Sequence, residues 1–453
     1  KLGFFSTFNT DVIQNVTLYK GHIPAAYGGR LSSALDINLR DGNDSEFHGK
    51  GGIGLFSGRL TLEGPLVKQK TSALISVRSS LSDWLFNDVR ATDINLSAVS
   101  FYDGLAKLSQ YLPKGKLTLS AYWSNDFFRF AREFGFKWDT KLYNLEWQHT
   151  PNDEFAAKTK INYGSYNSAV FEPDGPGAFQ LDNGLWYVRF RQDFNWVPEE
   201  KHEINFGLEG IHYDSYPEVL RPEGEESTIE PMEVEKGQAR ELAIYASDKW
   251  QWSERLSVSL GLRYSFFQNF GPRKVFDYVE GRPLEPEYIS GSTQYESGEI
   301  IQSYGGLEPR FSARYTLSET QSVKFSYNRM RQYIHLISNT TAATPADVWQ
   351  FSNRYIPPQK AHNFSVGYFH NSKNNNWENS FEVYYRTIKD MVAYKDLPEL
   401  LLNPQLETEL LAGEGLTYGF EISTERKKGR WSGRISYAWS RSLLRARGDT
   451  VEE

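Results

Sequence analysis

The 453 residues carry 50 lysines and arginines against 57 aspartates and glutamates, and this net charge of −7 argues against a nucleic-acid binder, whose contact face would shift the balance to the basic side. With no cysteine, neither disulfides nor thiolate metal sites are available. A mean hydropathy of −0.56 and the lack of any apolar run long enough to cross a bilayer exclude a helical membrane protein, but a 15% aromatic content suits a membrane β-barrel, whose strands are apolar only at alternate positions.

The chain opens on Phe8-Asn9-Thr10-Asp11-Val12-Ile13-Gln14-Asn15-Val16-Thr17-Leu18-Tyr19-Lys20-Gly21, which reads as a buried strand ending in a lysine-glycine turn. Tyr27-Gly28-Gly29-Arg30 follows as a paired-glycine turn, and Ser33-Ala34-Leu35-Asp36-Ile37-Asn38-Leu39 as a second strand with alternating side chains. Paired glycines serve where backbone bends sharply or passes close to a wall; an ordinary hairpin turn is the plainer reading of the same two residues.

From about residue 49 the pattern is strands of period two separated by turns. Leu256, Val258, Leu260, Leu262 and Tyr264 alternate with Ser257, Ser259, Gly261, Arg263 and Ser265, and the same alternation recurs over 377–386, 416–423 and 431–440. The predicted strands are 50–57, 58–66, 71–80, 99–112, 115–126, 139–150, 154–168, 180–196, 201–214, 237–252, 254–268, 306–317, 320–332, 359–371, 376–390, 414–427 and 430–441, roughly seventeen.

A soluble antiparallel sandwich also alternates, so the connections decide. One set is tight, as at Pro113-Lys114-Gly115, Pro151-Asn152-Asp153, Ser253-Glu254, Ser318-Glu319-Thr320 and Lys428-Gly429. The other set is long: 81–98, 127–138, 169–179, 215–236, 269–305, 333–358 and 391–413. Short turns on one rim and long loops on the other are the layout of an outer-membrane barrel. Trp123, Trp147, Trp186, Trp196, Trp250, Trp252, Trp377 and Trp431, near strand ends, are expected to be interfacial anchors. Single-chain bacterial barrels have even strand numbers, and Arg445 to Glu453 reads as the start of another outward loop, so several C-terminal strands are expected to be missing from a full set of about 22. Lys1 falls in mid-motif, for which a cleaved signal and further upstream domains are the simplest account.

The opening stretch resembles the last part of the plug domain of TonB-dependent outer-membrane transporters. Leu60-Thr61-Leu62-Glu63-Gly64-Pro65-Leu66 with Lys70-Thr71-Ser72 resembles the first periplasmic hairpin of the branch that carries an N-terminal carboxypeptidase-regulatory-like domain. Gly305 to Phe311, Gln332 to Leu336, Pro345 to Trp349 and Ile356 to Gln359 resemble later barrel segments of that branch. The resemblance implies an all-β fold: residues 1–48 as the remnant of a plug inside a transmembrane antiparallel barrel formed by 49–453. It further implies active import of a scarce or bulky ligand across the bacterial outer membrane, driven through a periplasmic TonB protein by an inner-membrane motor. The TonB-contacting box would lie upstream of Lys1, so energy coupling is inferred. Outer-membrane lipid and lipopolysaccharide would surround the barrel, and a surface lipoprotein partner, as in glycan importers, stays open.

Such a design works by binding and gating, with no cofactor and no covalent step. Arg30 and Arg40 are expected to pair with lumen carboxylates such as Glu209, Glu382 or Glu421, the alternative being that these charges are solvated in a wet lumen. Tyr278, Tyr288, Tyr295, Trp349 and Tyr355 offer flat stacking surfaces to a siderophore, glycan or peptide, although loop aromatics also pack loops against each other. Glu218, Glu223, Glu225, Glu226, Glu230, Glu233 and Glu235 lack the spacing of a calcium loop, and a solvated or lipopolysaccharide-bridging acidic loop is the better reading. No His-Glu-x-x-His or Gly-x-Ser-x-Gly arrangement occurs, which leaves an enzyme unsupported. The runner-up is a non-transporting barrel acting as a scaffold or accessory subunit of an envelope complex.

Overall fold

In a computed structural model, which describes residues 7–81, 96–131, 133–338, 344 and 347–446, the period-two segments form one large antiparallel sheet. The chain starts with a 3-10 turn over Thr10–Val12, capped by the Asn9 side chain, and a hairpin of β1 (Ile13–Tyr19) and β2 (Ala34–Leu39). The sheet then runs β3 (His48–Ile53), β4 (Ser57–Val67), β5 (Thr71–Ser80), β6 (Ala98–Leu112), β7 (Gly115–Phe130), β8 (Phe134–His149) and β9 (Phe155–Glu172). It continues through β10 (Phe179–Glu199), β11 (His202–Pro222), the two-residue β12 (Met232–Glu233), β13 (Gly237–Gln251) and β14 (Leu256–Phe270). A loop hairpin of β15 (Arg273–Tyr278) and β16 (Ile289–Tyr295) precedes β17 (Ile300–Ser318) and β18 (Gln321–Gln332). A second, β19 (Ile334–Ile337) and β20 (Val348–Phe351), precedes β21 (Gln359–Asn371), β22 (Trp377–Tyr394), β23 (Leu410–Arg426) and β24 (Gly433–Ala446).

Every long strand ladders with its sequence neighbours, and the register pairs give the two end strands, β3 and β24, one partner each. The sheet curls around the N-terminal segment: side chains of β4, β6, β7, β14, β17, β18, β21 and β23 all reach residues 20–41. A flat sheet could not touch one short segment with both its early and its late strands.

The sheet is polar inside and apolar outside. On β14, Leu260 and Leu262 are about half exposed while Arg263, Ser265, Phe267 and Asn269, one residue out of phase, are buried. On β13, Leu242 and Ile244 face outward and Glu241, Ala243 and Tyr245 inward; on β17, Leu307 faces out and Glu308 and Arg310 in. A soluble sandwich would bury the opposite face. Trp147, Trp196, Trp252, Trp377 and Trp431 are exposed beside the short turns and ring one end of the apolar band.

Several strands are longer than the sequence pattern indicated. The expected loop at 127–138 belongs almost wholly to β7 and β8, whose ladder reaches Phe130↔Phe134. Aromatic pairing sustains it, since Phe128, Phe130, Phe134 and Phe136 contact one another across the hairpin. β10 and β11 run 21 residues each, about 70 Å at ~3.3 Å per residue, well beyond the 9–11 a tilted membrane strand needs. The upper wall therefore stands clear of the lipid on the long-loop side. The β1 strand, expected to be buried, instead leaves Val16 and Leu18 half exposed, and its Gln14, Asn15 and Tyr19 line a lumen cavity. The acidic loop is not uniformly solvated either: Glu218 is buried and accepts a 2.6 Å hydrogen bond from the Leu402 amide, tying two outer loops together. Residues 82–95 of the expected loop 81–98, Pro345-Ala346, and residues 447–453 lie outside the described residues.

An outward apolar face fixes the sign of one substitution. Ile244→Arg, near the middle of the apolar band, should cost about 2–4 kcal/mol when reversible unfolding is followed by urea titration in lipid vesicles.

Candidate functional site

The inner segment crosses the lumen as irregular backbone, so its carbonyls need partners that no ladder supplies. The wall supplies them. Arg310 donates to the carbonyl oxygens of Ile23 (3.4 Å) and Tyr27 (3.2 Å), and Arg263 to those of Ala26 (3.4 Å) and Ala25 (3.5 Å). Asn328 donates to the Gly21 carbonyl and accepts from the Ile23 amide at 3.1 Å, and Asn363 donates to the Leu31 carbonyl at 3.3 Å.

Each buried guanidinium is held by a buried carboxylate. Arg263 contacts Glu209 at 3.2 Å, Glu209 also takes Arg189 at 2.7 Å, and Arg310 contacts Glu308 at 3.0 Å with Ser265 donating to Glu308 from behind. Charges so buried persist only when paired and hydrogen-bonded, so this quartet is a preformed clamp on the wall. The glycine pair is what lets the loop enter it. A Cβ on Gly28 would stand 2.3 Å from Arg263 Nε, and Gly29 adopts φ +74° beside the Glu241 carboxylate. His22, in the same loop, has its pKa lowered to about 4, chiefly by burial and then by Lys324 and Arg310, so it is neutral at physiological pH.

A second tie lies toward the short-turn rim. Asp41 accepts from Ser109 at 2.7 Å and sits 2.8 Å from both Lys107 and Lys116. Burial alone would raise its pKa, but the hydrogen bonds from Lys107, Lys116 and Ser109 outweigh it and hold the carboxyl below the usual range. Nearby, Arg40 pairs with Glu63 and Lys107 donates to the Leu39 carbonyl at 2.7 Å. Asp11 takes Lys50 at 2.7 Å and Arg59 at 3.1 Å.

The residues named from the sequence are distributed differently from the expectation. Arg40 finds Glu63, and Arg30 donates to the Gly29 carbonyl at 2.7 Å, so neither pairs with Glu209, Glu382 or Glu421. Glu209 serves the wall clamp, Glu421 binds Lys20 of the inner segment, and Glu382 faces Lys324 electrostatically across the wall. Among the loop aromatics, Tyr278 and Tyr355 meet edge to face at 5.3 Å. Both spend their hydroxyls on the loops, Tyr278 on Glu407 and Tyr355 on the Phe276 carbonyl. Tyr288 and Tyr295 stand half-buried on the β15–β16 hairpin, the Tyr288 carbonyl accepting from the Val279 amide next to Tyr278 at 2.9 Å. Trp349 belongs to a different feature. The β19–β20 hairpin turns into the lumen and packs on β10, β11 and β13, joining Tyr333, Ile334 and Phe351 to Leu185, Tyr213, Ala239 and Phe267 in an apolar cluster. Phe267 and Tyr333 stack at 4.9 Å there, and Trp349 packs against its edge.

Arg263, Arg310, Asn328 and Asn363 were not singled out from the sequence as inner contacts. The available signal was a polar side chain on the lumen phase of a central strand, as in Leu262-Arg263-Tyr264, without any indication of what it would meet. Beside the β1–β2 hairpin lies a cavity of about 1210 Å³, lined by Tyr19, Tyr27 and Asp36 on one side and by Lys116, Lys160 and Arg191 among the wall residues on the other.

A family model described as TonB dependent receptor-like, beta-barrel, matches residues 80–452. No curated protein matches the sequence. Among solved structures, the alcaligin outer-membrane receptor FauA from Bordetella pertussis is similar at TM-score 0.64 and 11% identity, covering 97% of this chain and 68% of FauA. The copper transporter OprC is similar at TM-score 0.70 and 11% identity over 96% of this chain and 67% of OprC. The Serratia marcescens hemophore receptor HasR, solved with its hemophore HasA and heme, is similar at TM-score 0.61 and 14% identity, covering 92% of this chain and 70% of HasR. At such identities the likeness is one of fold.

Two outcomes test the ties. Gly28→Val should push Arg263 off the loop carbonyls, cost about 1–3 kcal/mol by overpacking, and speed protease cleavage within residues 20–31 while leaving the wall resistant. Asp41 has a depressed pKa in the folded state, so its contribution is present above the ordinary carboxylate value and is lost as pH falls through the depressed one. Protection of residues 34–47 in the intact protein should therefore hold down to about pH 4, whereas Asp41→Asn should lose it at neutral pH.

Proposed function

Because the chain belongs to the TonB-dependent receptor family, a family of bacterial outer-membrane receptors and transporters, we propose that it imports a scarce or bulky ligand, with residues 1–48 acting as the gate within a wall formed by 49–453. The observation that carries this reading is the clamp of Arg263, Arg310, Asn328 and Asn363 on the backbone of residues 21–31. Contacts of this kind exchange with water at modest cost, each worth about 0.5–1.5 kcal/mol net and up to ~3 where the donor is charged. A pull on the segment can break them one after another without unfolding the wall.

Family membership implies TonB as the partner that pulls, and coupling through an inner-membrane motor is part of the proposal. FauA, OprC and HasR are named for alcaligin, copper and a hemophore with heme, three unlike cargoes on one fold, so the fold leaves the ligand open. We assign capture to the outer loops. Tyr295 offers a flat face there and Tyr288 a ring with the Arg282 guanidinium 5.7 Å above one side, while Tyr278 and Tyr355 are occupied with each other and Trp349 edges the inward hairpin. A siderophore, a glycan or a peptide suits such faces.

The gate can be locked directly. A Cβ on Gly21 would lie 3.7 Å from the Ser365 Cβ, within disulfide range, and the chain has no native cysteine to interfere. Gly21→Cys with Ser365→Cys, oxidised, should abolish uptake of the cargo identified by a growth screen over ferric siderophores, heme, copper, glycans and peptides. Surface binding should persist, and reductant should restore uptake. Uptake that continues through the closed crosslink would refute gating by this segment.

A further inference from the structure

We propose that the outer surface of β18, β21 and β22 carries a binding site for the phosphate groups of the phosphorylated glycolipid of the outer leaflet, built from Arg329, His362, Lys360 and Lys389. The site follows from register. On these strands the outward apolar band consists of the rungs Val323↔Tyr368↔Phe381, Phe325↔Val366↔Val383 and Tyr327↔Phe364↔Tyr385. The next outward rung toward the long loops is Arg329↔His362↔Thr387, and the one after it pairs Lys360 with Lys389. Inward positions between them, Asn328, Met330, Ala361 and Asn363, are buried against the inner segment, which fixes the phase. Arg331, the next odd residue on β18, lies over Gly306 and is not part of the cluster.

The height is that of a headgroup. Trp377, at the short-turn edge of the band, and Lys389 are on the same strand, separated by twelve steps of about 3.3 Å, or roughly 30 Å along the membrane normal at a tilt of ~40°. That is about the thickness of the hydrocarbon core, so the cations stand where lipid phosphates begin. Arginine and lysine just past an aromatic rung are the side chains that bind such phosphates.

Two of the cations, Arg329 and Lys389, are not consumed within the protein. Lys360 pairs with Asp390 at 2.7 Å, and Glu414 stands opposite Lys389 in the β22–β23 ladder. Neither Arg329 nor Lys389 has an ion-pair partner among the described residues, and Arg329 Nε is buried without a hydrogen-bond acceptor. Both cations lie within electrostatic reach of His362, whose ring accepts or donates to the Tyr327 hydroxyl at 2.9 Å. Two free cations converging on one imidazole repel each other, and an anionic group between them relieves the repulsion.

The test is retention of lipid by the full chain. Protein extracted from outer membranes, washed in detergent and examined by native mass spectrometry should hold bisphosphorylated lipid A, and an R329Q/K389Q variant should retain at least tenfold less. A charge-matched K428Q/R430Q variant, altered in a short turn on the opposite rim, should retain as much as wild type. Heat-modifiable migration on gels confirms that each variant is folded; if the double variant is not, the single variants R329Q and K389Q are compared, each expected to lose severalfold. Millimolar inorganic phosphate should not displace the lipid, which separates a glycolipid site from a free-anion site. Equal retention by folded wild type and double variant, equal retention of phosphatidylglycerol, or displacement by inorganic phosphate would each overturn the assignment.

Discussion

Backbone amides in hydrocarbon have no water to turn to, and a single sheet can meet that demand only by pairing every strand with its neighbours and curling. The other features of this chain follow from how that constraint is met. Once the sheet curls with its apolar face outward, its polar face encloses space, and whatever passes through that space must have its own backbone satisfied. The wall's inward residues, buried as deeply as any apolar core, are therefore arginine, glutamate, asparagine and serine.

This arrangement inverts the usual division of labour between core and surface. In a soluble domain the buried centre is apolar and contributes stability through area removed from water. Here the centre is a charged lattice around residues 20–41, and the largest apolar cluster among the described residues forms where the inward β19–β20 hairpin meets the wall. That hairpin packs Phe351 and Tyr333 against Phe267 and Tyr213, on the same wall strands, β14 and β11, that carry Arg263 and Glu209. One face of the lumen thus holds the inner segment by exchangeable polar bonds and an outer loop by apolar contact. The two kinds of contact respond differently to force and to ligand, because apolar burial has no directional partner to exchange while each carbonyl on a guanidinium can be replaced by water.

The alternation in 256–265 or 377–386 was readable from the sequence because period two is a property of adjacent residues, and the direction of the faces was readable because short and long connections alternate. The upper ends of strands were less so: at 127–138, phenylalanines at both phases obscure the period, and cross-strand ring contacts between β7 and β8 sustain the ladder there. The clamp was not legible at all. Arg263 on a wet face looks like any lumen residue until Gly28 is seen to need the space beside it, and those positions are 235 apart in the chain. Charge pairing across such separations cannot be chosen from composition, which is why Arg40 was matched with distant glutamates when Glu63, at the foot of the next hairpin, takes it. Tyr278 and Tyr355 illustrate the same limit, since two rings from different loops satisfy each other first.

The form of the clamp bears on how a gate can be both tight and releasable. Had residues 21–31 been held by their own side chains in ion pairs with the wall, as Lys20, Arg40 and Asp41 at the ends of the inner segment are, withdrawing them would leave buried, uncompensated charges on both partners, each costing several kcal/mol. Instead Arg263 and Arg310 keep their carboxylates, Glu209 and Glu308, whether or not the loop is present, and offer the loop only their remaining donors. The loop in turn offers carbonyl oxygens, which carry no net charge and are hydrated readily when they move. Withdrawal therefore separates neutral acceptors from an already compensated pair, so the barrier is a series of small steps, and re-entry finds the site unchanged. The requirement this places on the segment's sequence is steric: glycine at 28 and 29, and small residues at 25 and 26, where the backbone must lie against the guanidinium groups.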